Sequence, residues 1–418
     1  MTGRRHWVLG GALTALVLAV ALVTWLLVRS DPYVAQPRGD RAPAADPAAA
    51  AHALRALQSA VEDRDTEAGA ALAPTSDPDA ADLLTAVVGN ADALDVRDFS
   101  ARYVDAVGGV DGDGRWQAAV DMTWRFEGFD AEPVHEEVLV SFSADGDGGG
   151  AGIEAFGGGD RRSPLWLSGP LEVRRSDRTL VLATSAAEAD LLSQRAEAAV
   201  PVVDRVLPQW SGGLVVEVPP SEEGLDAVLG ADPDTYQGIA AVTASVDGTV
   251  TPDAQVHVFV NPTVYDGLDP VGGQVVLSHE ATHAATGAPL TTGVPMWLLE
   301  GFADFVALHD VDLPVSTTAA QIIAQVRQDD VPDQLPGQAE FDATDSHLGA
   351  AYESAWLACV VLADAGGDDA LVRLYEDVSA GRDPEARMRS LFGFGSTGLT
   401  ERWQQRLRAL ADASSDGT

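Results

Sequence analysis

Near Arg178 the pattern of apolar residues changes, and this change divides the chain into two parts of different architecture. Between residues 99 and 176, short segments that alternate apolar and polar residues are separated by Gly-Gly and Asp-Gly turns, which predicts an antiparallel sheet. Beyond Arg178, strands alternate with helical stretches, which predicts a mixed sheet covered by helices. We therefore predict a boundary between residues 172 and 178, with one domain at 48–175 and a second at 176–412.

The first domain starts with a helical pattern, which runs through Leu54, Leu57 and Val61 ahead of the predicted strands. A helical part followed by antiparallel strands resembles the nuclear transport factor 2-like or cystatin-like α+β fold, in which a curved sheet wraps a helix. The resemblance implies an accessory domain of that type at 48–175. With a mixed sheet and helices in the second domain, the whole chain is predicted to belong to the α+β class.

An uncharged apolar run occupies residues 7–28 and is long enough to cross the hydrocarbon core of a bilayer as a helix. The run exceeds the apolar region of a cleaved signal peptide, and Tyr33 stands where a cleavage site needs a small residue. We predict an uncleaved signal anchor in residues 1–30 and a flexible stalk at 31–47. Because only a short tail precedes the run, we predict a single-pass protein of the cell membrane with its C-terminal domains outside the cytoplasm.

The charge balance excludes one class of partner. The chain has 64 acidic residues against 26 basic ones, which gives a formal net charge of −38. Binding of nucleic acid requires a basic face against the phosphate backbone. We therefore predict no nucleic-acid partner.

Three further residues are predicted to have no catalytic role. Cys359, the single cysteine, lies in an apolar run and is expected in the core, so the sequence has no disulfide framework and no cysteine metal site. His257 alternates with Val256 and Val258 and is predicted to face outward from its strand. His309 is predicted to lie at the surface near the end of a helix.

The segment HEATH at residues 279–283 has the spacing of a metal site. His279 and His283 lie on one face of a predicted helix that ends at Gly287. Two imidazoles so placed can bind one zinc ion. Glu280 is turned by about one hundred degrees from the first histidine, so it is out of ligating reach but close enough to contact a water on the metal. This is the HExxH arrangement, and a catalytic zinc in it needs a third protein ligand.

The segment WLLEGFADF offers that third ligand. Glu300 and Asp304 lie on one face of a predicted helix that begins near Pro295. Two antiparallel helices joined by a short loop bring Glu300 to the two histidines. Asp304 lies one turn further on, where its carboxylate either accepts the ring N–H of a ligating histidine or faces solvent.

Together, HEATH and WLLEGFADF resemble the gluzincin metallopeptidases, the thermolysin-like and peptidase MA-like group, over about residues 178–412. The resemblance implies a zincin-type second domain in which His279, His283 and Glu300 bind Zn²⁺. It implies that Glu280 is the general base for hydrolysis of peptide bonds by zinc-activated water. A peptide or protein substrate is implied as well.

The later segment HLGAAYESAWLACVVLADAGG fits the helix that backs the cleft in that family. On it, either Tyr352 or His347 would stabilise the oxyanion that forms when water attacks a carbonyl. Tyr352 is also spaced as a core residue together with Trp356, so a packing role stays open.

Two classes of function follow from these residues. The first is a membrane-anchored, extracytoplasmic zinc metallopeptidase, a hydrolase. The second is a non-catalytic binding or assembly protein that keeps the zinc site as a scaffold and acts through its 48–175 domain. Glu280 favours the first class, because a scaffold does not need a carboxylate beside the metal.

Overall fold

The computed structural model describes residues 45–145, 150–341 and 348–413. These residues belong to one compact unit, which contains a four-stranded sheet, a five-stranded sheet and many helices. The α+β class predicted from the sequence is therefore confirmed. The predicted anchor at residues 7–28 and the predicted stalk up to residue 44 lie outside the described residues, and the predicted division at 48–175 and 176–412 stays a prediction.

The N-terminal part consists of helices followed by an antiparallel sheet. Its elements are α1 (Pro47–Asp63), α2 (Thr66–Ala70), α3 (Pro78–Ala93), β1 (Val96–Val107), β2 (Arg115–Phe126), β3 (Val134–Asp145) and β4 (Gly150–Phe156). The Asp46 carboxylate caps α1 by accepting hydrogen bonds from two backbone N–H groups of the first turn. The four strands pair as antiparallel neighbours in chain order, as the alternating pattern predicts.

A five-stranded mixed sheet follows. Its elements are β5 (Glu172–Arg175), β6 (Thr179–Ala183), α4 (Ala186–Val206), β7 (Leu214–Val218), α5 (Glu222–Leu229), β8 (Ala241–Ser245) and β9 (Val256–Val260). The strand order is β5-β6-β7-β9-β8, with parallel β6, β7 and β9 between two antiparallel edge strands. Residues 165–176 are predicted to continue the first sheet, but β5 pairs with β6 instead, because a tight turn joins these two strands.

Helices make up most of the remaining chain. They are α6 (Pro262–Tyr265), α7 (Pro270–Thr286), α8 (Met296–Ala307), α9 (Val315–Thr318), α10 (Ala320–Val326), α11 (Leu348–Gly366), α12 (Asp368–Ser379), α13 (Pro384–Phe392) and α14 (Ser396–Ala413). Among the described residues, α11 alone is long and apolar enough to cross a membrane, by length and composition only. Its apolar window is 56% buried, which is typical of a core helix.

The five-stranded sheet is covered on both faces. Val181 of β6 packs in a core with the C-terminal helices, whereas its neighbour Leu182 packs in a second core with the four-stranded sheet. Every residue of β6 and of β7 is consequently buried.

This double cover makes the outward placement predicted for His257 wrong. Its side chain is 1% exposed, with Nδ1 at 2.7 Å from Glu217 Oε1 and Nε2 at 3.0 Å from Asp130 Oδ1. Burial lowers the pKa of His257, but the Asp130 and Glu217 carboxylates outweigh burial and raise it to about 9. His257 is therefore a buried link between the turn after β2 and the central strands of the second sheet.

Helices α8 and α11 approach each other closely at Gly301. A Cβ atom at this position would overlap the backbone carbonyl of Ala355 and would lie 3.1 Å from Cys359 Sγ. Cys359 is fully buried, as predicted. The close crossing places Tyr352, in the second turn of α11, beside the residues carried by α7 and α8.

Candidate metal centre

His279, His283 and Glu300 converge on one point. The two histidine Nε2 atoms are 2.9 Å apart, and Glu300 Oε2 lies 3.2 Å from Nε2 of His279 and 3.3 Å from Nε2 of His283. All three residues are buried. Ligand atoms at 2.0–2.1 Å from a tetrahedral zinc ion lie about 3.3 Å from one another. The separations therefore fit three ligands of a single metal ion.

The local sequence explains this convergence. Helix α7 places the two histidines one turn apart and ends at Gly287, whose φ of 62° is the left-handed conformation of a helix C-terminus. A short 3₁₀ turn, Ala288–Leu290, redirects the chain, and α8 begins directly after Pro295. Glu300 lies in the second turn of α8, which brings its carboxylate next to the rings of His279 and His283.

Asp304 orients one of the histidines. Its Oδ1 lies 2.7 Å from Nδ1 of His279 and accepts that ring N–H. A neutral imidazole that donates through Nδ1 carries its lone pair on Nε2, which here faces the other two ligand atoms. Of the two placements that the sequence leaves open for Asp304, the structure shows the one beside the histidine.

Burial and charge act against each other on the ligands. Burial lowers the pKa of His279, yet the Asp304 carboxylate raises it well above its ordinary value. Burial raises the pKa of Glu300, yet His283 and His279 hold it below its ordinary value. The centre therefore keeps an ionised carboxylate, and metal binding has to displace a ring proton from His279, so the metal affinity falls as the pH falls.

Glu280 lies next to the three ligands without joining them. Its Oε2 accepts a hydrogen bond of 2.6 Å from the Thr243 hydroxyl on β8. Burial raises the pKa of Glu280, while His279 acts in the opposite direction. A carboxyl group with a raised pKa is suited to taking up a proton and returning it.

Tyr352 completes one side of the centre. Its ring packs edge to face against the ring of His279, with 5.9 Å between the ring centroids, and against the ring of Phe341, with 5.0 Å between the ring centroids. Burial, with a contribution from Glu300, raises the pKa of Tyr352, so its hydroxyl remains a hydrogen-bond donor. His347, the other residue considered for this role, lies outside the described residues.

An open cleft of about 570 Å³ leads to these residues. Besides the centre itself, its wall includes apolar side chains, among them Ile239, Pro289, Leu299 and Phe341. Thr243 also lines the cleft, and sequence reasoning missed it, because a threonine on a short strand carries no signal of a contact with Glu280. His309 is exposed beyond the end of α8, as predicted, and takes no part in the site.

Comparisons with known proteins give a distant likeness among solved structures. No family model matches the chain, and no curated protein matches it. Among solved structures, a mutant of a two-domain M1 zinc metallopeptidase bound to L-arginine matches at 13% identity and a TM-score of 0.34. The match covers 76% of this chain and 61% of that chain, so this chain spans less than two thirds of that protein. The function therefore has to be inferred from the site.

Proposed function

We propose that the protein is a zinc metallopeptidase that hydrolyses peptide bonds in a peptide or protein substrate. The observation that carries this proposal is the convergence of His279, His283 and Glu300 at an open cleft. Within the described residues three ligand side chains converge. Structural zinc sites are closed by four protein ligands, whereas catalytic sites have three and keep one position open.

Zinc fits this set of ligands, because two neutral imidazoles and one carboxylate are a known combination at catalytic zinc sites. When bound, zinc would supply a Lewis acid that polarises the substrate carbonyl and makes water at the open position more acidic. Asp304 supports this role by fixing the ring of His279.

The chain's own residues would transfer the protons and stabilise the oxyanion during the reaction. Glu280 takes a proton from the attacking water as the new C–O bond forms. It then delivers that proton to the amine nitrogen as the C–N bond breaks. Tyr352, whose pKa is raised, donates a hydrogen bond to the oxyanion in between.

Hydrolysis of a denatured protein mixture, with and without a chelator, tests this proposal. A zinc peptidase cleaves the mixture and stops when the chelator is present. A non-catalytic scaffold cleaves nothing under either condition, so the assay separates the two classes of function.

The finer features of the proposal rest on sequence. They are a nuclear transport factor 2-like or cystatin-like accessory domain at 48–175 and a gluzincin-like domain at 176–412. The uncharged run at residues 7–28 supports anchoring in the cell membrane with residues 31–418 outside the cytoplasm. The net charge of −38 supports the absence of a nucleic-acid partner.

The membrane topology has its own test. Protease added to intact cells or spheroplasts is expected to digest the domains beyond residue 31, because the proposed orientation places them outside the cytoplasm. A cytoplasmic protein of the same cells is the control for intact membranes. Full protection of the C-terminal domains until the cells are lysed would reverse the proposed orientation.

A further inference from the structure

Strand β8 presents one hydroxyl to the metal centre. In the part of the chain that the structure describes, this edge strand pairs with β9 alone, and its alternate residues Ala241, Thr243 and Ser245 are buried. Thr243 lies opposite Val258 in this pairing. A valine would have the same shape as Thr243, so what distinguishes the residue is its hydroxyl group.

That hydroxyl contacts Glu280 twice. Thr243 Oγ1 lies 2.6 Å from Glu280 Oε2 and 3.0 Å from the backbone oxygen of Glu280. A hydroxyl has one proton, and the shorter contact is the one to the carboxylate. A hydrogen bond to an ionised acceptor is also the stronger of the two. The proton is therefore directed at the carboxylate.

We propose that Thr243 is a positioning residue, which fixes the Glu280 carboxylate in the cleft beside His279, His283 and Glu300. A glutamate side chain has several rotatable bonds, and its freedom has to be restricted before the carboxylate can meet a water molecule in one geometry. This inference rests on the proposed function, because it takes Glu280 as the general base.

Thr243 contacts Glu280 from an element other than the helices that carry the ligands. It lies on β8, whereas Glu280 and the histidines lie on α7 and Glu300 lies on α8. Beyond Thr243, the guanidinium of Arg162 donates to the backbone oxygens of Ser245 at 3.4 Å and Val246 at 3.3 Å. Arg162 comes from the segment between the two sheets. We therefore expect the strand and the ligand helices to stay in place when the hydroxyl alone is lost.

Paired substitutions test the role of the hydroxyl in the full-length protein. Thr243→Val keeps the shape and removes the hydroxyl, and we expect kcat to fall by about tenfold to a hundredfold, the cost of a misplaced catalytic group. KM and zinc content should stay at wild-type values. Thr243→Ser restores the hydroxyl and should keep kcat within about threefold of wild type. Thr249→Val, an exposed change in the same hairpin, is the control and should change nothing.

Each result of these substitutions either supports or overturns the positioning role of Thr243. Wild-type kcat in zinc-loaded Thr243→Val, or an equal loss in Thr243→Ser, overturns the positioning role while leaving the proposed function intact. If Thr243→Val does not fold, Thr243→Ala replaces it in the comparison with Thr243→Ser. A folded, zinc-loaded wild-type protein that hydrolyses no peptide overturns the proposed function, and this inference with it.

Discussion

A Glu280→Gln variant is expected to bind zinc as the wild-type protein does and to hydrolyse peptide bonds at least about a hundredfold more slowly. Glutamine has nearly the same shape and leaves His279, His283 and Glu300 unchanged. Its amide oxygen can still accept the Thr243 hydroxyl, so the side chain stays in place. What is lost is the ability to take a proton from water. The measurements are kcat and the zinc content of the same sample.

An exposed glutamate provides the matched control. Glu197→Gln makes the same chemical change on the surface of α4 and should leave kcat unchanged. If Glu280→Gln were as active as the wild type, the base would be another group and the proposed proton transfers would be rejected.

Substitutions at the ligands are expected to produce a different defect. His283→Ala removes one of three converging ligands and should lower zinc affinity by at least about a hundredfold, since even residues outside the ligand set contribute 10-fold to 100-fold. Glu300→Gln should weaken zinc binding as well as hydrolysis, unlike Glu280→Gln. Competition with a chelating dye measures the affinities.

The control for the ligand substitutions is His309→Ala, which removes an exposed histidine that lies outside the centre. It should keep full zinc affinity. A His283→Ala protein that retains a full equivalent of zinc under mild chelation would show that the metal binds elsewhere.

The arrangement of the metal centre could be predicted from the sequence, because its residues lie close together along the chain. His279 and His283 are spaced by one helical turn, and the connection to α8 is short, so the position of Glu300 follows from two adjacent helices. Their side chains meet in the structure, and their role as zinc ligands stays a proposal. The class of fold was accessible for a similar reason, since alternation along the strands reflects burial within each segment.

Contacts between distant segments could not be predicted from the sequence. Thr243 reaches Glu280 across 37 positions, and no local pattern marks a strand residue for such a contact. The alternation of His257 with Val256 and Val258 predicts that its side chain faces outward. The four-stranded sheet, however, covers that face of the second sheet as well. Strand β5 likewise joins the second sheet, since a tight turn to β6 outweighs continuity with the preceding strands. For Thr243 and His257 a partner far along the chain decides the outcome, whereas for β5 the local turn decides it.

The central claim is that hydrolysis depends on one zinc ion in this centre, and a removal and restoration series measures it most directly. Zinc content and peptide hydrolysis are followed in the same purified protein before chelation, after chelation and during stepwise return of zinc. We predict that activity is lost with the metal and returns in proportion to zinc, reaching its limit at about one ion per chain. Hydrolysis that persists in the zinc-free protein, or a folded and fully zinc-loaded protein that cleaves nothing across a broad peptide library, would contradict the claim.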